Sequence, residues 1–157
     1  MNDGLLCVSI CADTVDDTVA QIARAVPLAD VIEVRFDHLD ASGASQISDP
    51  KSDIPLIATF RSDSEDARLA FWKDRRDGFW ACDFEEDILA SVDCRRKIAS
   101  FHDHDGIPTD LPDIYNRLAA SDPDIIKVAV TAHDITDAIP VWKLLDRAKA
   151  SGKKVIP

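Results

Sequence analysis

Residues 31–37 read Val31-Ile32-Glu33-Val34-Arg35-Phe36-Asp37, an apolar, β-branched run with a charge at every second position. Successive side chains of an extended chain point to opposite faces, so Glu33, Arg35 and Asp37 share one face and Ile32, Val34 and Phe36 the other. A central strand of a parallel sheet is ordinarily apolar on both faces. Three charges on one face are costly unless they pair with one another or line a site.

Similar runs recur: LLCVSI from Leu5, PLIATF from Pro55, FWACDF from Phe79, KIASFH from Lys97, IIKVAV from Ile125 and KVIP from Lys154. They start roughly 25 residues apart, with one shorter step, and most intervals carry helical patterning. Thr14 or Asp13 caps the first helix, whose apolar stripe is Val15, Val19, Ile22 and Val26. Asp110 or Thr109 caps Leu111–Ala120, with Pro112 in its first turn. Asp134–Ala150 is the longest helix, and Gly152 stops it. Only a short helix fits between Glu86 and Arg96. Strand–helix alternation implies an α/β fold with a parallel sheet and right-handed crossovers. An open doubly wound sheet and a (β/α)8 barrel both satisfy it. No GxGxxG or P-loop glycine pattern follows a strand, which weakens the nucleotide-binding form of the open sheet. The 157 residues suit one domain spanning 1–157.

Alternation in the other strands repeats the pattern of residues 31–37. Ser9 lies on the face of Cys7, Thr59 shares a face with Arg61, and Ser100 shares one with His102. Lys127 lies with Ile125 and Ala129. Five strands therefore put a polar or ionisable residue near the middle or carboxyl end of one face. In a barrel that face is the interior, and the strand ends form the mouth where active sites sit.

The residue types on that face suggest a chemistry. Desolvation and neighbouring cations lower a lysine pKa and make a neutral amine nucleophile, so Lys127 could attack a ketone and form an iminium ion. His102 could remove the proton that the iminium acidifies and pass it to a departing hydroxyl. Arg35 and Arg61 offer bidentate grips on a carboxylate. Each residue also has a plainer reading. Lys127 can snorkel from a sheet edge, and His102 can be a hydrogen-bonded core histidine. The arginines can form an internal ion-pair network with Glu33 and Asp37.

Composition narrows the partners. The net charge is −11 and no basic stripe exists, which argues against nucleic acid. No apolar stretch approaches a membrane span. The start, MNDGLLCVSICAD, lacks the features of a signal peptide, so a cytoplasmic location is expected. Of the 29 acidic residues only Glu33, Glu65, Glu85 and Glu86 are glutamate, a bias that hints at a high-salt cytoplasm. Cys7, Cys11, Cys82 and Cys94 form no CxxC pair and are expected to be buried and reduced. Trp72, Trp80 and Trp142 are expected to pack against the core. The run Phe101-His102-Asp103-His104-Asp105 has an H-x-H spacing that His38 or His133 could extend, which leaves a metal-dependent hydrolase as an alternative.

Four segments, in order and each on the expected strand, resemble the type I 3-dehydroquinate dehydratase family. They are Glu33-Val34-Arg35-Phe36-Asp37, Thr59-Phe60-Arg61-Ser62, Ser100-Phe101-His102-Asp103 and Ile126-Lys127-Val128-Ala129. The resemblance implies a TIM-type (β/α)8 barrel, here cut after about six βα units plus the start of strand 7. It implies dehydration of 3-dehydroquinate to 3-dehydroshikimate, in the shikimate pathway, with Lys127 as the Schiff-base lysine and His102 as the general acid/base. Glu65 corresponds to an acid that orients the histidine, and Ser9, Glu33, Arg35 and Arg61 to substrate-binding positions. No cofactor and no metal are implied, since the iminium carries the electronic load. Two departures stand out. The Gly-Gly that follows the acidic residue in the family is missing after Glu65, and the sequence stops at Pro157, before the family's last arginine and serine/glutamine pair. An open barrel edge favours association, for which a homodimer is one arrangement. A non-catalytic, oligomer-forming remnant of the family is the second alternative.

Overall fold

Among the described residues, 4–39, 47, 53–73 and 78–157 of a computed structural model, seven strands and four α-helices follow one another in the order the pattern predicts. They gather into two compact units. Unit 1 takes the described residues up to Asp83 together with Ser91–Arg95, and unit 2 takes Phe84–Ala90 and Arg96–Pro157.

In unit 1, strands β1 (Cys7–Ile10), β2 (Val31–Arg35), β3 (Leu56–Thr59) and the first three residues of β4 (Ala81–Glu85, whose Phe84 and Glu85 count with unit 2) are parallel neighbours in that order. The apolar face of β2 is sealed: Ile32, Val34 and Phe36 are buried. Phe36 meets the Phe71 ring at 5.5 Å and the Phe79 ring edge-on at 5.6 Å, and Phe71 meets the fully buried Trp72 at 4.9 Å. Each such side chain contributes about 1.5–3 kcal/mol by leaving water. Helix α1 (Val15–Ala25) starts at Thr14, whose Oγ1 accepts from the Asp17 N–H at 3.2 Å. Its buried stripe is Thr18, Ile22 and Ala25, so the expected stripe is corrected by one position, and Val19 is exposed. Thr18 tolerates burial because its hydroxyl donates to the Thr14 carbonyl at 2.8 Å. Helix α2 (Glu65–Lys73) follows β3.

A second correction concerns residues 31–37. The strand ends at Arg35, and Phe36–His38 form a single 3-10 turn. Asp37 therefore leaves the strand's alternation and curls back onto Arg35.

In unit 2, β5 (Lys97–Asp103), β6 (Ile125–Val130) and β7 (Val155–Ile156) are parallel neighbours in that order. Helices α3 (Leu111–Ala120) and α4 (Ala138–Ala150) carry Leu118, Leu144 and Ala148 into the core formed by Ile98, Ile126 and Val128. Asp110 is the N-cap of α3, with Pro112 in the first turn. The last helix is shorter than expected. Asp134 caps a 3-10 turn, Ile135–Asp137, in a reciprocal arrangement with Asp137, and α-geometry starts at Ala138. Pro140 explains the boundary: it has no N–H to give and is tolerated only in a first turn. Gly152, at φ +72°, lies just beyond the Ser151 C-cap.

The cysteine expectation is also corrected. Cys82 and Cys94, both in unit 1, form a disulfide, with Cα atoms 6.4 Å apart, a span a bridge can cross. Cys7 and Cys11 are outside any disulfide and exposed. Trp72 packs as expected, but Trp142 is exposed on α4.

Candidate active site

The strand register of unit 1 sets one polar face. Ser9 pairs with Glu33, Glu33 with Ile57, Arg35 with Thr59, and Thr59 with Asp83. Side chains at paired positions of parallel strands point the same way, so Ser9, Glu33, Arg35, Thr59 and Asp83 share a face. Glu33, Thr59 and Asp83 are buried there. Thr59 Oγ1 donates to Glu33 Oε1 at 2.7 Å. Arg35 holds Asp37 in a two-point contact, Nε to Oδ1 at 2.9 Å and Nη2 to Oδ2 at 2.7 Å. That contact holds the Arg35 guanidinium more firmly protonated. Burial pushes the Asp37 carboxyl up, but the Arg35 hydrogen bonds and charge take it below its ordinary value. Arg61, just past β3, places Nη2 2.7 Å from Asp83 Oδ1, and its Nη1 donates to the Asp83 carbonyl at 3.2 Å. Glu65 opens α2 and is exposed, a position where a carboxylate favours the helix N-terminus.

Unit 2 carries the amine and the imidazole. Lys127 pairs with Ser100 on β5 and with Ile156 on β7, while His102 pairs with Ala129. Ser100, His102, Lys127 and Ala129 therefore share one face, and Lys127 and His102 are diagonal neighbours. Strand spacing and rise put their Cα atoms roughly 8 Å apart. Both side chains are half-buried. Ser100 is buried, and its hydroxyl donates to the Phe84 carbonyl at 2.9 Å. His102, Ser100, Glu85, Glu86, Asp87 and Arg117 line a cavity of about 530 Å³. Arg117 Nε donates to Glu86 Oε1 at 2.6 Å.

The histidine run does not gather further ligands. His104 stacks over His102 with ring centroids 6.4 Å apart, and a ring nitrogen of His133 meets the Asp105 carbonyl at 2.9 Å. Among the described residues no group of three His, Cys, Asp or Glu side chains could hold a metal ion. No described helix is long and apolar enough to cross a membrane.

The sequence reading overlooked Asp83 and Glu85. The signal lay in Ala81-Cys82-Asp83-Phe84-Glu85, where two acids alternate with apolar residues just as charges do in residues 31–37.

Comparison with known proteins identifies the family and the fold. The model of the family described as Type I 3-dehydroquinase matches residues 6–157. A 3-dehydroquinate dehydratase of Methanothrix thermoacetophila is 31% identical over 133 residues, which are 74% of this chain and 58% of that protein. One of Methanothermobacter thermautotrophicus is 30% identical over 159 residues, 89% of this chain and 72% of that protein. The chain thus spans a little over half the length of the first relative. The crystal structure of 3-dehydroquinate dehydratase from Geobacillus kaustophilus superposes with a TM-score of 0.80 at 17% identity, covering 99% of this chain and 73% of that one. The fold is that of an α/β barrel of the TIM type, with seven parallel strands and four α-helices among the described residues.

Proposed function

Since the chain belongs to the type I 3-dehydroquinase family, we propose that it dehydrates 3-dehydroquinate to 3-dehydroshikimate through an imine on Lys127. The observation that carries the proposal is the seat of Lys127: half-buried, between Ser100 and Ile156, on the face it shares with His102.

The amine adds to the ring ketone, and the carbinolamine loses water to give an iminium. The iminium draws electrons from the adjacent carbon and acidifies its C–H. The His102 imidazole takes that proton, leaving an enamine. The enamine expels the hydroxyl one carbon further on, which takes the proton back from the imidazolium and departs as water. Hydrolysis of the conjugated imine releases the enone and restores the lysine. Atoms balance with water as the only co-product. We assign recognition of the substrate's hydroxyl and carboxylate groups to Ser9, Glu33, Arg35 and Arg61, and the orienting of His102 to Glu65, on the family resemblance. Residence in the cytoplasm and a homodimer are part of the same reading.

The test is turnover. Formation of the conjugated enone should be visible as ultraviolet absorbance when the chain meets 3-dehydroquinate. Lys127→Ala should lower kcat by at least about a thousandfold, since the covalent route is then closed. Full activity in that variant would defeat the imine route. No turnover by the wild-type chain would favour the non-catalytic, oligomer-forming relative.

A further inference from the structure

We infer that Asp83, buried on the polar face of unit 1, is a positioning residue: it fixes the pose of the Arg61 guanidinium and so the strength of its grip on the substrate. The inference rests on the dehydratase reading, which gives Arg61 its substrate, and it assigns a role to a residue that the matching family segments do not include. Asp83 lies on β4 in register with Thr59 of β3, and Arg61 stands two residues beyond Thr59. From there the arginine reaches across the strand pair and meets Asp83 twice. Its Nη2 lies 2.7 Å from the carboxylate Oδ1, and its Nη1 donates to the main-chain carbonyl at 3.2 Å. The Asp83 side chain is wholly buried, while that of Arg61 is 15% exposed, so the aspartate anchors the pair from within.

Stability alone does not account for this arrangement. Taking two charges out of water is costly, and replacing a buried ion pair by apolar side chains of similar volume often leaves a protein as stable or more so. What the pair supplies is direction. A guanidinium is planar and carries five N–H donors in a rigid fork, so two contacts with one residue fix its plane and the direction of every other N–H. The side-chain freedom that an unheld arginine would lose on meeting a ligand is lost on folding instead, which favours binding. The same face repeats the device. Arg35 meets Asp37 through Nε at 2.9 Å and Nη2 at 2.7 Å, and Thr59, the register partner of Asp83, donates to Glu33 at 2.7 Å. Asp37 belongs to the same segment as its arginine, whereas Asp83 comes from the neighbouring strand and ties β4 to the end of β3.

The experiment reads the pose and the grip separately in the full chain. Nitrogen-15 NMR of the arginine side chains reads the pose, with Arg61 assigned by loss of its signals in Arg61→Lys. Held by Asp83, the guanidinium should rotate slowly and give separate Nη signals, which should merge in Asp83→Asn. Calorimetry reads the grip: 3-dehydroquinate is titrated into Lys127→Ala, which cannot form the imine and so binds without turnover. Adding Asp83→Asn should weaken that binding about tenfold. In a background that also carries Arg61→Ala, the same change should matter less than about twofold, because Asp83 acts through the arginine. A loss that persists undiminished without Arg61 would mean general damage to the fold and would overturn the inference. So would separate Arg61 signals and unchanged affinity in Asp83→Asn. Should Asp83→Asn fail to fold, Asp83→Glu keeps the charge on a longer arm. It must then shift the Arg61 signals and weaken binding, and the loss must again vanish without Arg61. A chain that behaves in this way but yields neither enone nor adduct would defeat the dehydratase reading and leave the role of Asp83 standing.

Discussion

The Asp37 carboxyl is pulled two ways. Burial raises its pKa, while the two-point contact and charge of Arg35 lower it, and the second influence prevails. Its folded-state value thus lies below the ordinary 3.8. A depressed carboxyl contributes its full stability above the unfolded value and loses it as pH falls through the folded one. Asp37→Asn should therefore unfold at lower urea concentration than wild type at pH 7, and the gap should close as the pH drops below about 3.8. Urea titrations across that range measure it; a gap that stays constant down to acid would show that the charge is not what matters. At the residue scale the alternation of charges was legible for Glu33, Arg35, Ser100, His102 and Lys127, because these residues do lie in strands. It misled at Asp37, where the backbone turns after Arg35. It also could not show that Arg61 is engaged by Asp83, since that ion pair joins residues 22 positions apart in sequence.

Elements end where backbone chemistry forces them to. Gly152 takes a left-handed φ of +72° just past α4, with open space around its Cβ direction. Gly152→Ala meets no clash but must adopt that backbone, at a cost of about 1 kcal/mol. Chemical denaturation should register that loss, and an unchanged or higher midpoint would mean that the helix end can rearrange freely. One device recurs in both units. Asp30, just before β2, accepts from the Leu6 N–H at 2.8 Å, and Asp124, just before β6, accepts from the Lys97 N–H at 2.8 Å. Each aspartate ties the entry of the preceding strand to its own. The sequence made the elements legible through their period and their punctuating Pro and Gly. It could not show these clamps, or the Cys82–Cys94 bridge, because they depend on which segments lie side by side.

At the scale of the whole molecule, two features oppose each other. A net charge of −11 repels a second copy, while Ile135, Ile139 and Trp142 leave apolar surface exposed on unit 2. Salt shortens the reach of the repulsion, to about 3 Å at 1 M from about 10 Å at 0.1 M, and leaves apolar contact intact. The homodimer in the proposed function should thus tighten with salt in sedimentation velocity, and replacing Trp142 by serine should weaken it. A monomer at every salt concentration would remove the dimer and leave the chemistry untouched.

That chemistry depends on the amine of Lys127 reaching a ketone, and chemical trapping tests it most directly. Borohydride added to the chain with 3-dehydroquinate should reduce the imine to a stable secondary amine. Intact mass should then rise by the substrate or product skeleton, and peptide mapping should place the adduct on Lys127, with none in Lys127→Ala. Turnover without any such adduct, or an adduct that persists in Lys127→Ala, would contradict the account.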